Sequence, residues 1–433
     1  MRKLFGTALA LALLGSAVGL SACGGDNNGG GGGTGGTGGG GTGGTGGGGG
    51  SGGTGGTGGG GGGGGMANLK CSSGTLFAGN PTYDGQPSDR PTSGTGIHAD
   101  PPFQWTNMIF NGNTLYSRDE GEVWMVDLSA ATPVETRIAG QNDAAAFAFT
   151  DGPCATARFA QIRGMDVLPD GSLVVADQSA NAILHITNPT TAGTCAVEYW
   201  AGNNTPNTDI DPENPPDNGD MDGDGAAAKL SNPRALIVDA NGDVVFFDAG
   251  NHKIKKVGAA APHTVTTLAT LGANDPDKIL NWTRIGSTIY GAGMTPTSAG
   301  VISVSSTGTI AHVLFGDGSL FPPLDSHSSF DLGGITTDGT GLYVAGSGYL
   351  WYLTTSGQLS LAAGIGFMID FPPDASYDPA APHSADTLDL YDSLGSDEAT
   401  TGSFYYLTYK DGSVYFRGHG DGTAAFIEKI ACP

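Results

Sequence analysis

Short apolar segments separated by turns rich in Gly, Asp and Asn run through the chain from residue 107 to its end. The pattern is most regular in residues 163–183 and 233–254, which share one layout. Each copy has an apolar segment, an Asp-Gly or Asn-Gly turn, a segment of β-branched and aromatic residues ending in Asp177 or Asp248, and an Asn shortly before an Ile. Such segments joined by tight turns are typical of antiparallel strands. The sequence therefore predicts an all-β fold built from internal repeats.

The two copies resemble the NHL repeat, a blade of the β-propeller fold, over residues 142–257. This resemblance implies four-stranded blades of about 40 to 50 residues. Later parts of the chain depart from the repeat, because Gly346 and Gly418 stand near the position where its Asp is expected. The assignment of those parts to the propeller therefore rests on strand spacing.

Strand spacing predicts a ring of six NHL-like blades. Besides the two regular copies, three blades are predicted at residues 107–140, 279–315 and 334–364. The last set, at residues 404–430, has only three strands, and residues 75–79 are expected to supply the fourth. Pairing these N-terminal and C-terminal strands closes the ring and leaves no open sheet edge. A seven-bladed ring is the alternative, and it needs a further blade within residues 365–403.

The N-terminus carries export signals. Residues 1–22 have a basic start, an apolar stretch too short to span a bilayer and a small-residue end, which is typical of a cleavable secretory signal peptide. The segment Leu-Ser-Ala-Cys ending at Cys23 resembles the lipobox of bacterial lipoproteins. The resemblance implies cleavage before Cys23 and its lipidation, and Gly24 in place of Asp favours the outer membrane. We therefore expect a lipid-anchored protein of the bacterial outer membrane, periplasmic or surface-exposed.

The segment after Cys23 has an extreme composition. Residues 24–65 contain 32 Gly among 42 positions, so they lack side chains that could build a core. Such a segment is expected to be a disordered, flexible tether. The predicted organisation is a signal peptide at 1–22, a lipidated Cys and linker at 23–65, and the propeller domain at 66–433.

The charge is strongly acidic. The formal net charge of −24 argues against nucleic-acid binding, because such a chain repels phosphates. The predicted connections from each outermost strand to the next innermost strand carry 25 of the 42 carboxylates, and all lie on one face of a propeller. These connections are residues 80–104, 141–161, 203–232, 272–277, 317–332 and 365–403. They are expected either to supply solubilising charge or to bind cations or a protein or small-molecule partner.

Four cysteines remain once Cys23 is set aside, and four cysteines in an exported protein allow three disulfide connectivities. The propeller interpretation places Cys71 just before the closing strand and Cys432 just after its expected partner, so it implies a Cys71–Cys432 bridge. Cys154 and Cys195 are then left to pair with each other. Their predicted positions, near opposite faces of one blade, lie far apart unless the loop before the blade's first strand wraps downward.

Signals for chemistry are sparse. Asp220, Asp222 and Asp224 alternate with small residues and are candidate ligands for calcium, although position 12 of an EF-hand pattern would be Ser231, which cannot supply the bidentate carboxylate. The same loop is also explained as the ordinary approach to an NHL blade. No other cofactor is indicated.

Propeller enzymes with similar repeats, such as amidating lyases and lactone hydrolases, hold a metal with His and carboxylate residues near the axis. The resemblance places residues of those types on turns of one face: His252, His419, Asp119, Asp177 and Asp248. Nothing else in the sequence supports catalysis. The predicted function is therefore a recognition or scaffolding module of the cell envelope with an unknown ligand. The alternative is a metal-dependent lyase or lactone hydrolase with its site at the mouth of the channel.

Overall fold

The computed structural model describes a six-bladed β-propeller. The described residues are 70–79, 93–95, 107–118, 121–130, 134–141, 149–203, 218–322, 332–346, 349–363, 383–384, 407–419 and 425–433. The predicted signal peptide, Cys23 and the tether lie outside these ranges, as do Asp119 and most of the predicted acidic connections. The six-bladed prediction is confirmed, and the described strands form six sheets.

In each of blades 1 to 3 the strands follow one another from the ring axis outward. Blade 1 consists of Asn107–Asn111, Thr114–Arg118, Glu122–Asp127 and Val134–Gly140, with Ser93–Thr95 added at its outer edge. Blade 2 consists of Ile162–Val167, Leu173–Asp177, Ala182–Thr187 and Ala196–Gly202, with Gly152–Pro153 added at its outer edge. Blade 3 consists of Pro233–Val238, Val244–Asp248, Lys253–Val257 and Val265–Thr270.

Blades 4 and 5 keep this order, and blade 6 combines both ends of the domain. Blade 4 consists of Lys278–Ile285, Thr288–Met294, Ala299–Val304 and Ile310–Gly316. Blade 5 consists of Leu332–Thr337, Gly341–Gly346, Tyr349–Thr354 and Leu359–Ala363. Blade 6 consists of Leu407–Lys410, Ser413–His419, Ala425–Ala431 and the N-terminal Ser73–Gly79, with His383–Ser384 at its edge.

Helical structure in the described ranges is limited to two short 3₁₀ turns, Ala249–Asn251 and Gly318–Leu320. Within these same ranges, no helix has the length and apolar character needed to cross a bilayer.

Burial on both faces explains why the second strands of the blades are largely apolar. In the second strand of blade 2, Leu173 and Val175 pack toward blade 1, whereas Val174 and Ala176 pack toward blade 3. Alternate side chains point to opposite sheet faces, so a strand between two neighbouring blades needs apolar residues at both sets of positions. Six apolar clusters, one between each pair of neighbouring blades, complete the ring.

The N-terminal strand closes the ring as predicted. Ser73–Gly79 pairs antiparallel with Ala425–Ala431, from Ser73 opposite Ala431 to Gly79 opposite Phe426. The Cys71–Cys432 disulfide lies beside the first of these pairs, with its Cα atoms 4.1 Å apart. Strand pairing and a covalent bond therefore join the two ends of the domain.

Lys70 precedes this disulfide and packs against blade 5. Its ammonium lies 3.4 Å from the Asp338 carboxylate and 4.0 Å from the centre of the Tyr352 ring. The chain thus enters the domain on the face that carries the turns between innermost and second strands, since Asp338 belongs to the turn that follows Leu332–Thr337. We call this the turn face.

The second disulfide joins Cys154 and Cys195, with Cα atoms 5.4 Å apart. The predicted pairing of these two cysteines is confirmed. The condition stated for it is met, because the loop before blade 2 descends along the outside of the blade. There Gly152–Pro153 pairs with Ala196 and Val197 of the outermost strand. The Cys154 N–H also donates to the Cys195 carbonyl at 3.1 Å, so the two cysteines are direct neighbours.

Candidate functional site

The Asp residues that end the second strand of the two repeat copies bind backbone. Asp177 is fully buried and accepts hydrogen bonds from the N–H groups of Ala160, Gln161 and Ala180, at 2.7, 2.9 and 3.0 Å. These bonds hold the loop that leads into the innermost strand. Burial raises the pKa of Asp177, and the N–H bonds act in the opposite direction. The Asp177 carboxylate therefore has a structural role.

Asp248 has the equivalent role in blade 3. It is also fully buried and accepts from the Ser231 N–H at 2.6 Å and from Asn251 Nδ2 at 2.8 Å. Its carboxylate additionally lies 3.4 Å from the ammonium of the buried Lys255. The expectation that these two aspartates face a common catalytic centre therefore receives no support from their contacts.

The described histidines also serve the backbone or neighbouring side chains. His252 adopts a left-handed conformation with φ of 52°, and its carbonyl accepts from the Leu271 N–H at 2.9 Å. Asn181 occupies the same place in blade 2 with φ of 54°, so this position closes a turn. His185 Nε2 lies 2.7 Å from Ser172 Oγ, and burial lowers the pKa of the His185 imidazole. The side chain of His419 lies outside what the structure describes.

The three predicted calcium ligands lie along one loop, and each has partners within residues 253–267 of blade 3. Asp220 pairs with Lys253 and, at 2.9 Å, with Lys255, and the hydrogen bonds from these lysines lower the pKa of Asp220. Asp222 accepts from the N–H and hydroxyl of Thr267 at 2.7 and 3.0 Å. Asp224 accepts from the hydroxyl of Thr264 at 3.2 Å.

These partners attach the acidic loop to the outer strands of blade 3. The described residues contain no group of three or more His, Cys, Asp or Glu side chains suited to a metal ion. The geometry lends the calcium prediction no support, because the Lys255 ammonium already lies between Asp220 and Asp222.

A cavity of about 500 Å³ lies where the innermost strands meet, and all six of these strands contribute to its wall. Its apolar lining includes Met165, Ile237 and Ile335. Its polar lining includes Asn107, Asp166, Asn281, Arg284, Thr336 and Thr408. The cavity is therefore the mixed polar and apolar centre of the ring, and its size suits a small ligand.

Hydrogen bonds between blades hold the polar groups of this cavity in place. Asn107 Nδ2 donates to the Met165 carbonyl at 3.2 Å, from blade 1 to blade 2. Asn281 Nδ2 donates to the Ile335 carbonyl at 3.2 Å, from blade 4 to blade 5. These amides link neighbouring blades, and their orientation is fixed before any ligand arrives.

Asp166 links blade 2 to blade 3 in the same way. Its carboxylate accepts from the N–H groups of Val238 and Val167, both at 2.7 Å. Burial raises the pKa of Asp166 to about 6, although these hydrogen bonds and the charge of Arg284 act to lower it. The cavity therefore contains a carboxyl group that changes its charge near pH 6.

None of these cavity residues was predicted from the sequence as a site residue. The available signal was a polar residue within an otherwise apolar innermost strand, as Asp166 is within Ile162–Val167 and Asn281 is within Lys278–Ile285. A strand that is buried on both faces tolerates such a residue only where it finds hydrogen-bond partners or a cavity.

Comparison with known proteins identifies the fold. No protein-family model matches the chain, and no curated protein matches it. An auxiliary nutrient binding protein from Bacteroides ovatus is 14% identical with a TM-score of 0.52, covering 83% of this chain and 76% of that one. A virginiamycin B lyase from Staphylococcus aureus is 12% identical with a TM-score of 0.42, covering 76% and 96%. A gluconolactonase from Xanthomonas campestris is 13% identical with a TM-score of 0.40, covering 74% and 82%. At such identities the similarity concerns the fold, and function has to be argued from the site.

Proposed function

We propose that this propeller is a recognition module that binds a small polar ligand in its central cavity. The observation that carries the proposal is the lining, in which two carboxylates, a guanidinium and two amides surround about 500 Å³ of space. Inter-blade hydrogen bonds fix the Asp166 carboxylate and the two amides, so these three groups lose little side-chain freedom on binding. Nutrient binding is a description of the Bacteroides ovatus protein, and for this chain binding is proposed from the cavity alone.

The charges of the lining favour a ligand that carries both signs. Asp166 would attract an ammonium group and Arg284 a carboxylate, and both line the same cavity. Free amino acids and dipeptides have this charge pattern and fit the volume. They are therefore the probes for the first experiment.

Filling the cavity is expected to abolish binding. We expect at least one of these probes to raise the melting temperature of the protein, because a ligand that binds only the folded state stabilises it. Thr336→Trp should remove that shift, since Thr336 lines the cavity. Thr307→Trp, at an exposed turn of blade 4, is the matched control and should retain it. Differential scanning fluorimetry measures the shift, and circular dichroism checks that both variants fold.

Two results would contradict the cavity as the binding site. One is a folded Thr336→Trp protein with an undiminished shift, and the other is the absence of a shift with every probe. The shift at a fixed probe concentration should also decrease as the pH falls through about 6, where protonation removes the Asp166 charge.

The metal-dependent enzyme is the second candidate function, and one observation favours it. Two carboxylates, Asp166 and Asp239, line the cavity. Metal analysis of the purified protein separates the two candidates: a stoichiometric metal that is lost with Asp166→Asn would favour the enzyme. A metal that is lost with Asp220→Asn instead would favour the calcium prediction.

We further propose that the domain is anchored to the outer membrane through a lipid on Cys23. The support is the sequence around Cys23 and the Gly-rich segment behind it. A binding partner on the acidic loops remains a second, independent prediction. Most of those loops lie outside the described residues, and the described Asp220, Asp222 and Asp224 contact the domain itself.

Replacing Cys23 is expected to abolish anchoring. Cys23→Ser removes the sulfur that would carry the lipid, so the protein should leave the membrane fraction and lose all labelling by a fatty-acid probe. Thr54→Ser, within the tether, is the control and should change neither property. Continued labelling of the Cys23→Ser protein would refute the lipoprotein proposal.

A further inference from the structure

A second cavity, of about 470 Å³, lies between blades 1 and 2 on the turn face. Three turns form its rim: the turn between Asn111 and Thr114 in blade 1, the turn at Asp170–Ser172 in blade 2, and the turn at residues 188–191, also in blade 2. We call this cavity the polar groove. It is separate from the central cavity, because none of the residues that line it belongs to the central lining.

The groove is lined largely by neutral polar side chains. They include Asn111, Thr114, Tyr116, Ser172, Thr187 and Asn188. Asp170 also lines the groove. Its carboxylate accepts hydrogen bonds from the N–H and the hydroxyl of Ser172, at 3.0 and 2.5 Å. These hydrogen bonds lower the pKa of Asp170, so the carboxylate stays ionised and disfavours anionic ligands.

Tyr116 is the most informative residue of the groove. It is 1% exposed, and its ring packs in the apolar cluster between blades 1 and 2. Its hydroxyl makes no hydrogen bond to any described residue, although the side chain borders the groove. Burial raises the pKa of this phenol. Because a hydroxyl both donates and accepts hydrogen bonds, this group can bond a ligand in the groove.

Two further groups in the groove also lack partners among the described residues. The hydroxyl of Thr114 and the side-chain amide of Asn111 make no hydrogen bond to any of them. Hydroxyl and amide groups both donate and accept. A ligand that satisfies all three groups must therefore carry several neutral groups that also donate and accept.

We propose that the polar groove binds a neutral saccharide of about disaccharide size. Sugar hydroxyls donate and accept at every ring position, which matches the neutral lining. The volume lies within the range of small-ligand sites. The groove offers no exposed aromatic ring for stacking, so its affinity is expected to be in the millimolar range.

The test is a saturation-transfer difference NMR titration of the full chain with maltose, cellobiose and trehalose. At least one disaccharide should give saturable transfer, whereas glucuronic acid, which carries a carboxylate, should bind more weakly. Tyr116→Phe removes only the unpartnered hydroxyl, so it should raise the dissociation constant about fivefold without lowering the melting temperature, as expected for one lost hydrogen bond.

Tyr290→Phe is the matched control. Tyr290 is the third residue of the second strand in blade 4, as Tyr116 is in blade 1, and it is also buried. Its substitution should leave the dissociation constant unchanged. The proposal is overturned if no disaccharide gives saturable transfer, or if the Tyr116→Phe and Tyr290→Phe proteins bind equally well. Loss of binding in Thr336→Trp but not in Tyr116→Phe would assign the sugar to the central cavity instead.

Discussion

Deletion of residues 71–79 is expected to remove most of the stability of the propeller. The deletion takes away the outermost strand of blade 6 and every backbone pair between Ser73 and Gly79 and the C-terminal strand. It also removes Phe77, whose ring lies 4.9 Å from that of Tyr415, and opens the disulfide. A bridge across 361 residues contributes about 5 to 6 kcal/mol in the chain-entropy model. The total free energy of unfolding of a native domain is only about 5 to 15 kcal/mol.

The measurement is thermal unfolding followed by circular dichroism, with limited proteolysis of the C-terminal strands as a second readout. The double variant Cys71→Ser/Cys432→Ser keeps the strand and loses only the covalent bond, so its melting temperature should fall between those of the native and deleted chains. An unchanged melting temperature in the deleted protein would mean that the N-terminal strand is dispensable for closure.

Lys255→Met is expected to destabilise the protein by about 3 to 5 kcal/mol, the range for removing one partner of a buried ion pair. Lys255 is fully buried, and its ammonium lies 2.9 Å from Asp220 and 3.4 Å from the equally buried Asp248. The substitution leaves the Asp248 carboxylate without its cation inside the fold. It also releases the acidic loop from blade 3, since Asp220 and Asp222 both contact Lys255.

Lys256→Met is the control for this experiment. Lys256 is the neighbouring residue and pairs with Asp243 at 2.8 Å, but it is partly exposed. Its substitution should therefore lower the free energy of unfolding by no more than about 1 kcal/mol. Urea unfolding at pH 7 measures the free energy of unfolding of both variants. Equal losses for the two variants would show that Lys255 is no more important than a surface ion pair. Adding Asp248→Asn to Lys255→Met should recover part of the loss, because it removes the unpaired charge.

The pH dependence of the Lys255 contribution has a definite sign. Burial alone lowers the pKa of Lys255, but the Asp220 hydrogen bond and the charges of Asp248 and Asp222 raise it above its ordinary value. A lysine whose pKa is higher in the folded state stabilises the fold at neutral pH, and this stabilisation is lost as the pH rises through the folded-state value. The difference between native protein and Lys255→Met should therefore shrink in alkaline solution, as Lys255 loses its proton.

The ring could be predicted from the sequence because the inner strands are largely apolar on both faces and each turn between an innermost and a second strand carries Gly. Gly171 and Gly242 have φ of 87° and 85°, which other residues rarely adopt. The closing strand could also be predicted, since one blade had only three strands and the start of the domain had an unassigned one. The path of the loop before blade 2 could not be predicted, because Gly152–Pro153 pairs through backbone groups that leave no side-chain pattern.

The roles of the polar residues were harder to predict, because they also depend on contacts that leave no pattern in the sequence. Asp177 and Asp248 stood out in the repeats, and the enzyme hypothesis placed them on a catalytic face, yet backbone N–H groups account for their presence. Asp166 stands where the second repeat copy has Ile237, and Tyr116 shares its strand position with Tyr290 of blade 4, so no repeat pattern marked either residue. Their surroundings depend on which blades become neighbours, and only the closed ring brings those neighbours together.

The Cys71–Cys432 bridge also determines how the domain responds to a mechanical pull. Ser73 opposite Ala431 is the first pair of the closing strand, so tension on the chain before Lys70 would otherwise peel that strand away one pair at a time. The bridge lies ahead of this pair and carries the force directly to Cys432. The backbone pairs between Ser73–Gly79 and Ala425–Ala431 are thereby shielded from the load. Tension applied at the N-terminus therefore acts on the covalently closed domain and not on the closing strand alone.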